Sequence, residues 1–405
     1  MVLFKNKQSL LSFSLAYMLS FPAINYAING LFEYYIGSFS FDSMLLFGLY
    51  YFLLLLSLWH FYKNIPLPAI IVLGFFAGAF ILTAGIFPQN IERMWTSVTD
   101  IFNNPTYIMI LNLLSGFFLS FHLTDFDTFT KYFEKISVFT IIVSVVNFYV
   151  NMYAADYTLQ YMTFSYHILL NTTFLTLLCF NKFTWPRFIF AAIGIVMIFL
   201  YGSRGAFFSI FIIALPYPFI HGKYKSHTKI IAFVLALLLC IIVFLNSNTI
   251  TTYLLEVSEK YNIESRTLEY ALEGKILDDS GRSSIQEYLL SRLSLFGYGV
   301  YGDRILANGF YAHNIFIEIF VHYGIIFGII LTCILVSIIV AGLFRTTRNK
   351  SVVAFTLLSA GFLKLLFSGS YLNREPAFYA LLGLCVSAIS RQKKVVEKKK
   401  SKYLK

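Results

Sequence analysis

The sequence predicts an all-α integral membrane protein with about 12 transmembrane helices and one large external loop. Three observations predict it. Of the 405 residues, 58 % are hydrophobic and only 13 % charged, against roughly 25 % charged in a soluble domain. Apolar runs long enough to span a bilayer, about 20 residues each, follow one another along the whole chain. The basic residues fall mostly into alternate connections between those runs.

The runs, in order, cover about 10–30, 42–62, 67–87, 106–122, 136–153, 163–181, 187–202, 205–220, 228–246, 313–342, 351–369 and 375–391. The first is long enough to span and lacks a small-residue cleavage site, so it is expected to stay as a helix. The seventh and eighth are short and meet at Tyr201-Gly202-Ser203-Arg204-Gly205. No repeat, low-complexity tract or soluble domain interrupts the runs, so residues 1–405 read as a single polytopic domain. Cys179, Cys240, Cys333 and Cys385 all sit inside apolar runs and read as small buried hydrophobes.

An even number of spans puts both termini on one side. The tail from Arg391 to Lys405 is rich in Lys and Arg, which places that side in the cytoplasm. The connections assigned to it agree: Lys63, Lys131 and Lys135, Lys182 and Arg187, Lys223, Lys225 and Lys229, then Arg345, Arg348 and Lys350. Together with Lys5, Lys7 and the tail they hold about 21 of the 31 basic residues. The net charge of +11 is thus a topology signal and argues for no nucleic-acid partner.

One connection is out of proportion. Residues 247–312 separate the ninth and tenth runs on the external side, where most connections are far shorter. Tyr253, Leu254 and Val257 suggest one amphipathic helix in it; Ile285, Tyr288, Leu289, Leu293 and Phe296 suggest another. Gly297-Tyr298-Gly299 breaks the pattern. A loop with its own apolar faces is expected to fold over the membrane domain and cap a cavity.

The groups that could carry chemistry gather near that loop. Arg93, Arg204, Arg266, Arg282, Arg292, Arg304 and Arg374 are external by the charge rule. Arginine offers a planar fork of donors that matches phosphate oxygens. In its tight connection Arg204 is held at the interface, although an arginine at a helix end also simply snorkels. His313 stands where the loop enters the tenth run, and an imidazole can take a proton from an attacking hydroxyl. It could equally meet a lipid headgroup or a loop carbonyl. Asn314, Glu318 and His322 are spaced i, i+4, i+8 and share one helix face. That face must meet protein or water rather than lipid, either as packing glue or in support of a site. Lys364 is a possible partner for Glu318.

Asp125-Phe126-Asp127 has the spacing that many sugar transferases use to hold a metal, but it falls on a cytoplasmic connection. Asp278-Asp279 reads as a solvated turn. No Walker A, H-E-x-x-H or paired Cys/His spacing is present, so neither a nucleotide nor another cofactor nor a metal is expected.

Three blocks in this order resemble the integral-membrane superfamily of O-antigen ligases and lipid-linked repeat-unit polymerases of the Wzy type. They are Tyr201-Gly202-Ser203-Arg204-Gly205-Ala206, then Gly281-Arg282 leading to Phe296-Gly297-Tyr298-Gly299, then His313-Asn314 with Glu318 and Gly324. They lie in the second half of the chain. Ser294 stands where the family often has proline. The resemblance implies a GT-C-like, metal-independent glycosyltransferase in the bacterial cytoplasmic (inner) membrane. It would move a glycan from undecaprenyl diphosphate to an acceptor hydroxyl on the external face. It further implies His313 as general base and Arg204, Arg282, Arg266, Tyr298 and Asn314 as diphosphate- or glycan-binding groups. Glu318 and His322 would support them. Its partners would be the lipid-linked donor and acceptor, with a chain-length-regulating protein as a further possibility.

A polymerase would join repeat units into O-antigen, capsule or exopolysaccharide; a ligase would pass the polymer to lipid A core. The composition, rich in Phe, Ile, Tyr, Asn and Lys, resembles that of the polymerases. The rival from another class is a transporter or flippase of the lipid-linked unit, using Glu318, His322 and Lys364 as an ion pathway. Against it, the polar groups cluster at one interface and no internal repeat is visible.

Overall fold

The computed structural model describes residues 6–36, 41–62, 65–90, 105–153, 161–200, 203–221, 281–346, 348–373 and 376–403, with Thr252 and Glu256. Among them every regular element is helical and there is no strand. Among the described residues seven helices are long and apolar enough to cross a membrane: Lys7–Phe32, Met44–Phe61, Leu67–Ile86, Phe126–Val150, Thr163–Asn181, Ile315–Phe344 and Lys350–Phe367. Four shorter apolar helices cover Thr106–His122, Trp185–Phe199, Gly205–Ile220 and Pro376–Arg391. The expected ninth span, 228–246, lies outside the described residues. So do Cys240, the loop helix sought around Tyr253, Asp278-Asp279, Arg93, Arg266 and Arg374.

The chain forms two compact units. One comprises Met1–Leu19, Tyr51–Phe129 and Asp279–Lys405; the other comprises Ser20–Tyr50 and Thr130–Asp278. In the second, α6 (Tyr161–Asn181) packs along α7 (Trp185–Leu200). Gly194 leaves room for Thr172, whose atoms would collide with any side chain there. Asn171 Oδ1 accepts from Ser20 at 2.8 Å and Ser137 at 2.9 Å, the interhelical polar contact expected where no water reaches the bundle. Ser203 then stands at the N-cap position of α8 (Arg204–Ala214), without a capping bond from its side chain.

In the first unit, α14 (Pro376–Tyr403) is the axis. Ala377, Phe378, Tyr379, Ala380, Leu381, Leu384 and Cys385 are all buried, so the first half of this helix is apolar on every side and surrounded. Small residues set the approach of its neighbours. Gly116 of α4 (105–122) sits against the Pro376 carbonyl, Gly342 of α12 (Ile315–Phe344) against Cys385, and Gly361 of α13 (348–367) against Ala377. Both α4 and α13 carry a π-helical turn at that contact, Leu113–Phe118 and Leu358–Leu363.

Three local expectations are corrected. The fifth helix begins at Phe126, not near 136, and Asp125 is its cap: Thr128 donates its amide and its hydroxyl to the carboxylate at 3.0 and 2.7 Å. Cys333 is exposed on the apolar surface of α12, whereas Cys385 is buried. The loop helix read through Phe296 stops early. As α10 it spans Arg282–Ser291, and Leu293 and Phe296 lie beyond its end.

Beyond its end runs a strap, residues 294–300, docked on a break in α12. Gly324 has φ 78° and ψ 175°, which interrupts a helix of 30 residues. In an unbroken helix Val321 and His322 carbonyls would accept the amides of Ile325 and Ile326. Instead they accept Tyr298 N–H at 2.9 Å and Gly299 N–H at 3.0 Å, while Ile325 and Ile326 donate to the Ser294 and Leu295 carbonyls. Four of the backbone groups freed by the break are thus satisfied, as apolar surroundings require. Gly297 (φ 77°) faces Gly324 so closely that a side chain on either would strike the other's backbone. On the strap's other side Asn90 donates to the Tyr298 and Val300 carbonyls at 2.8 and 2.9 Å.

Candidate active site

The site is built where the strap, the short helix α11 (Gly302–Leu306) and the start of α12 meet. Asn314 opens α12 as its cap. Its Oδ1 accepts the amides of Phe316 (2.9 Å) and Ile317 (3.4 Å), and its Nδ2 donates to the Leu366 carbonyl at 3.2 Å. Four and eight residues on, Glu318 and His322 point inward and are buried, as one helix face predicts.

The ion-pair partner of Glu318 is a residue that the sequence marked only as one external arginine among several. Arg304 Nη1 lies 3.2 Å from Asp303 Oδ1 and 3.5 Å from Glu318 Oε1. Its Nη2 donates to Ser370 at 3.1 Å, and its guanidinium lies over the Tyr301 ring at 4.8 Å. Ser370 also donates to Glu318. Lys364, the partner considered for Glu318, is buried on α13; the ion pair formed by Glu318 is to Arg304.

His322 uses both ring nitrogens. Nε2 pairs with Asp303 Oδ1 at 2.9 Å and Nδ1 with the Tyr371 hydroxyl at 2.7 Å. Burial alone would raise the Asp303 carboxyl. The charge and hydrogen bond of His322, the Arg304 guanidinium and the Ala312 amide more than offset it and hold the group down to about 2. Asp303, Glu318 and His322 could offer three ligand atoms within 4.8 Å of one another to a metal ion. Here those atoms are engaged with each other, with Ser370 and Tyr371, and with a cation already present, the Arg304 guanidinium.

His313 differs from all of these. It is half-buried, its backbone is left-handed at φ 54°, and its Nδ1 is buried with no hydrogen-bond partner. The Tyr311 ring covers it, centroid to centroid 3.9 Å. Burial, then Arg282 and Arg304, push its titration down to about 4, with Asp303 opposing. It is therefore neutral at physiological pH and has a lone pair to offer. Arg282, the first residue of α10, donates Nη1 to the Phe367 carbonyl at 2.9 Å. Its charge reaches His313.

The structure thus brings Arg282, His313, Asn314, Glu318 and His322 into one neighbourhood. Tyr298 closes the end of α10, its hydroxyl donating to the Arg292 carbonyl at 2.6 Å. Arg204 opens α8 in the other unit, and Arg266 lies outside the described residues. Sequence reasoning missed Asp303, Ser370 and Tyr371. A lone Asp-Arg pair in a loop carries no local signal that its carboxylate will meet a histidine at position 322. No protein-family model, curated protein or solved structure matches the chain.

Proposed function

We propose that the chain is a membrane glycosyltransferase of about 12 spans and GT-C-like architecture. It joins undecaprenyl-diphosphate-linked oligosaccharide units into O-antigen, capsule or exopolysaccharide on the outer face of the bacterial cytoplasmic membrane. The observation that carries the reading is His313: a neutral imidazole with an unpartnered, buried Nδ1, fixed in a strained turn beside Arg282. Strained, non-glycine left-handed residues cluster at functional sites.

In this reading an acceptor sugar hydroxyl attacks the anomeric carbon of the donor. The bond from that carbon to the diphosphate oxygen breaks, and undecaprenyl diphosphate leaves. The hydroxyl proton passes to His313. Arg282 faces the diphosphate, whose departure needs positive charge. A base titrating near 4 is weak on its own. An anionic diphosphate against Arg282 would cancel one cause of that depression, so His313 becomes more basic when the donor is bound.

The break at Gly324 favours one second reading, a flippase, because transporters bind at broken helices near the bilayer midplane. The break leaves residues 325–344 unbroken, about 30 Å at 1.5 Å per residue, which is a full hydrocarbon thickness. The transferase reading accordingly sets the break at the edge of the hydrocarbon, and the flippase reading sets it at the middle. A strain that depends on this chain for its surface polysaccharide separates the readings. His313→Ala and Arg282→Lys, expressed at normal level, should abolish long chains and leave single capped units. Polymer retained on undecaprenyl diphosphate, with no capped units, would mean a ligase. A normal ladder in both variants would sink the site and favour the flippase.

A further inference from the structure

We infer that Asp303 is a positioning residue for the base: by accepting the Ala312 amide it holds His313 in its left-handed turn beside Arg282. This rests on the transferase reading. A left-handed backbone at a residue with a side chain costs about 1–3 kcal/mol and persists only when its surroundings impose it. Here both flanks of His313 are clamped. Before it, Ala312 is fully buried; its amide donates to Asp303 Oδ2 at 3.1 Å, and its carbonyl accepts Gln286 Nε2 at 3.3 Å. After it, Asn314 is fixed by its own cap and by the Leu366 carbonyl.

Asp303 is itself anchored to the helix axis of its unit. Its other oxygen binds His322, His322 binds the Tyr371 hydroxyl, and the Tyr371 carbonyl accepts the Tyr379 hydroxyl of α14 at 2.7 Å. All of these residues are buried. A chain of side chains therefore runs from the centre of the bundle to the peptide that aims the base. The charges acting on His313 are Arg282, Arg304 and Asp303, with the Tyr311 ring on its face. Asp303 is the anion among them, so it also favours the imidazolium that forms when His313 takes the proton.

The test uses the full-length protein in nanodiscs with a synthetic lipid-linked donor and acceptor. Asp303→Asn keeps the shape but loses the charge. It should lower kcat about 10- to 100-fold with KM for the donor unchanged, and shift the acid limb of the kcat profile to lower pH. Gln286→Ala loosens the same peptide without touching a charge. It should lower kcat less, leave Tm unchanged and leave the acid limb in place. If Asp303→Asn fails to fold, Gln286→Ala and the partial rescue expected of Asp303→Glu decide. Wild-type kcat in these variants, or an unmoved acid limb in Asp303→Asn, overturns the inference while an inactive His313→Ala keeps the transferase reading. An active His313→Ala overturns both.

Discussion

At the scale of single residues, the charge cluster engages the most buried ionisable groups with one another, which under the proposed transferase reading leaves His313 as the reactive one. Asp303, Glu318, Arg304 and His322 bind one another and use their donors and acceptors in doing so. Removing one member strands the rest. Arg304→Met leaves two buried carboxylates facing each other and should destabilise the protein by about 3–5 kcal/mol, read as a lower Tm in detergent. His313 makes a pH prediction. Its titration falls from 6.5 to about 4 on folding, so the folded state binds fewer protons between those values. Stability present above pH 6.5 is lost as pH falls towards 4. Tm should drop across that window in the wild type, and His313→Gln should remove part of the drop. The sequence showed His313, Arg282 and the Glu318–His322 face because each signal is local. It hid Asp303, whose role depends on a contact with His322 across a turn.

At the scale of elements, the strap and the broken helix form one device. The sequence showed Gly297-Tyr298-Gly299 as a break in a helical pattern and α12 as an apolar run, but not that one repairs the other. Backbone hydrogen bonds between distant segments leave no periodicity to read. Gly324→Ala would need a left-handed backbone and would strike the Leu295 carbonyl. A loss of about 1–3 kcal/mol from the backbone alone is expected, with the collision adding to it. A melt in which Gly324→Ala and Gly297→Ala match the wild type would contradict the account of the break. The two should also be non-additive, since both disrupt one contact.

At the scale of the whole molecule, apolar composition and basic-residue placement announced a helical membrane protein, and the long apolar helices agree. Pairing among the helices was illegible, because small residues such as Gly116, Gly342 and Gly361 set it at contacts far apart in sequence. If the hydrocarbon ends near Gly324, the exposed Leu295 and Phe296 continue the apolar surface of Ile325 and Ile326 into the bilayer. A cysteine at 296 should then resist a membrane-impermeant maleimide, and one at Tyr288 should react. Protection of both would place Glu318 and His322 deep in the bilayer.

The measurement that tests the central claim most directly is transfer by the purified chain in nanodiscs. It uses one lipid-linked repeat unit as both donor and acceptor, and products are read by mass. The account predicts lengthening glycans and released undecaprenyl diphosphate, both abolished in His313→Ala while the variant keeps the wild-type Tm. Lengthening that continues in His313→Ala, or no transfer by wild-type protein that nonetheless moves the intact lipid-linked unit across the bilayer, would contradict it.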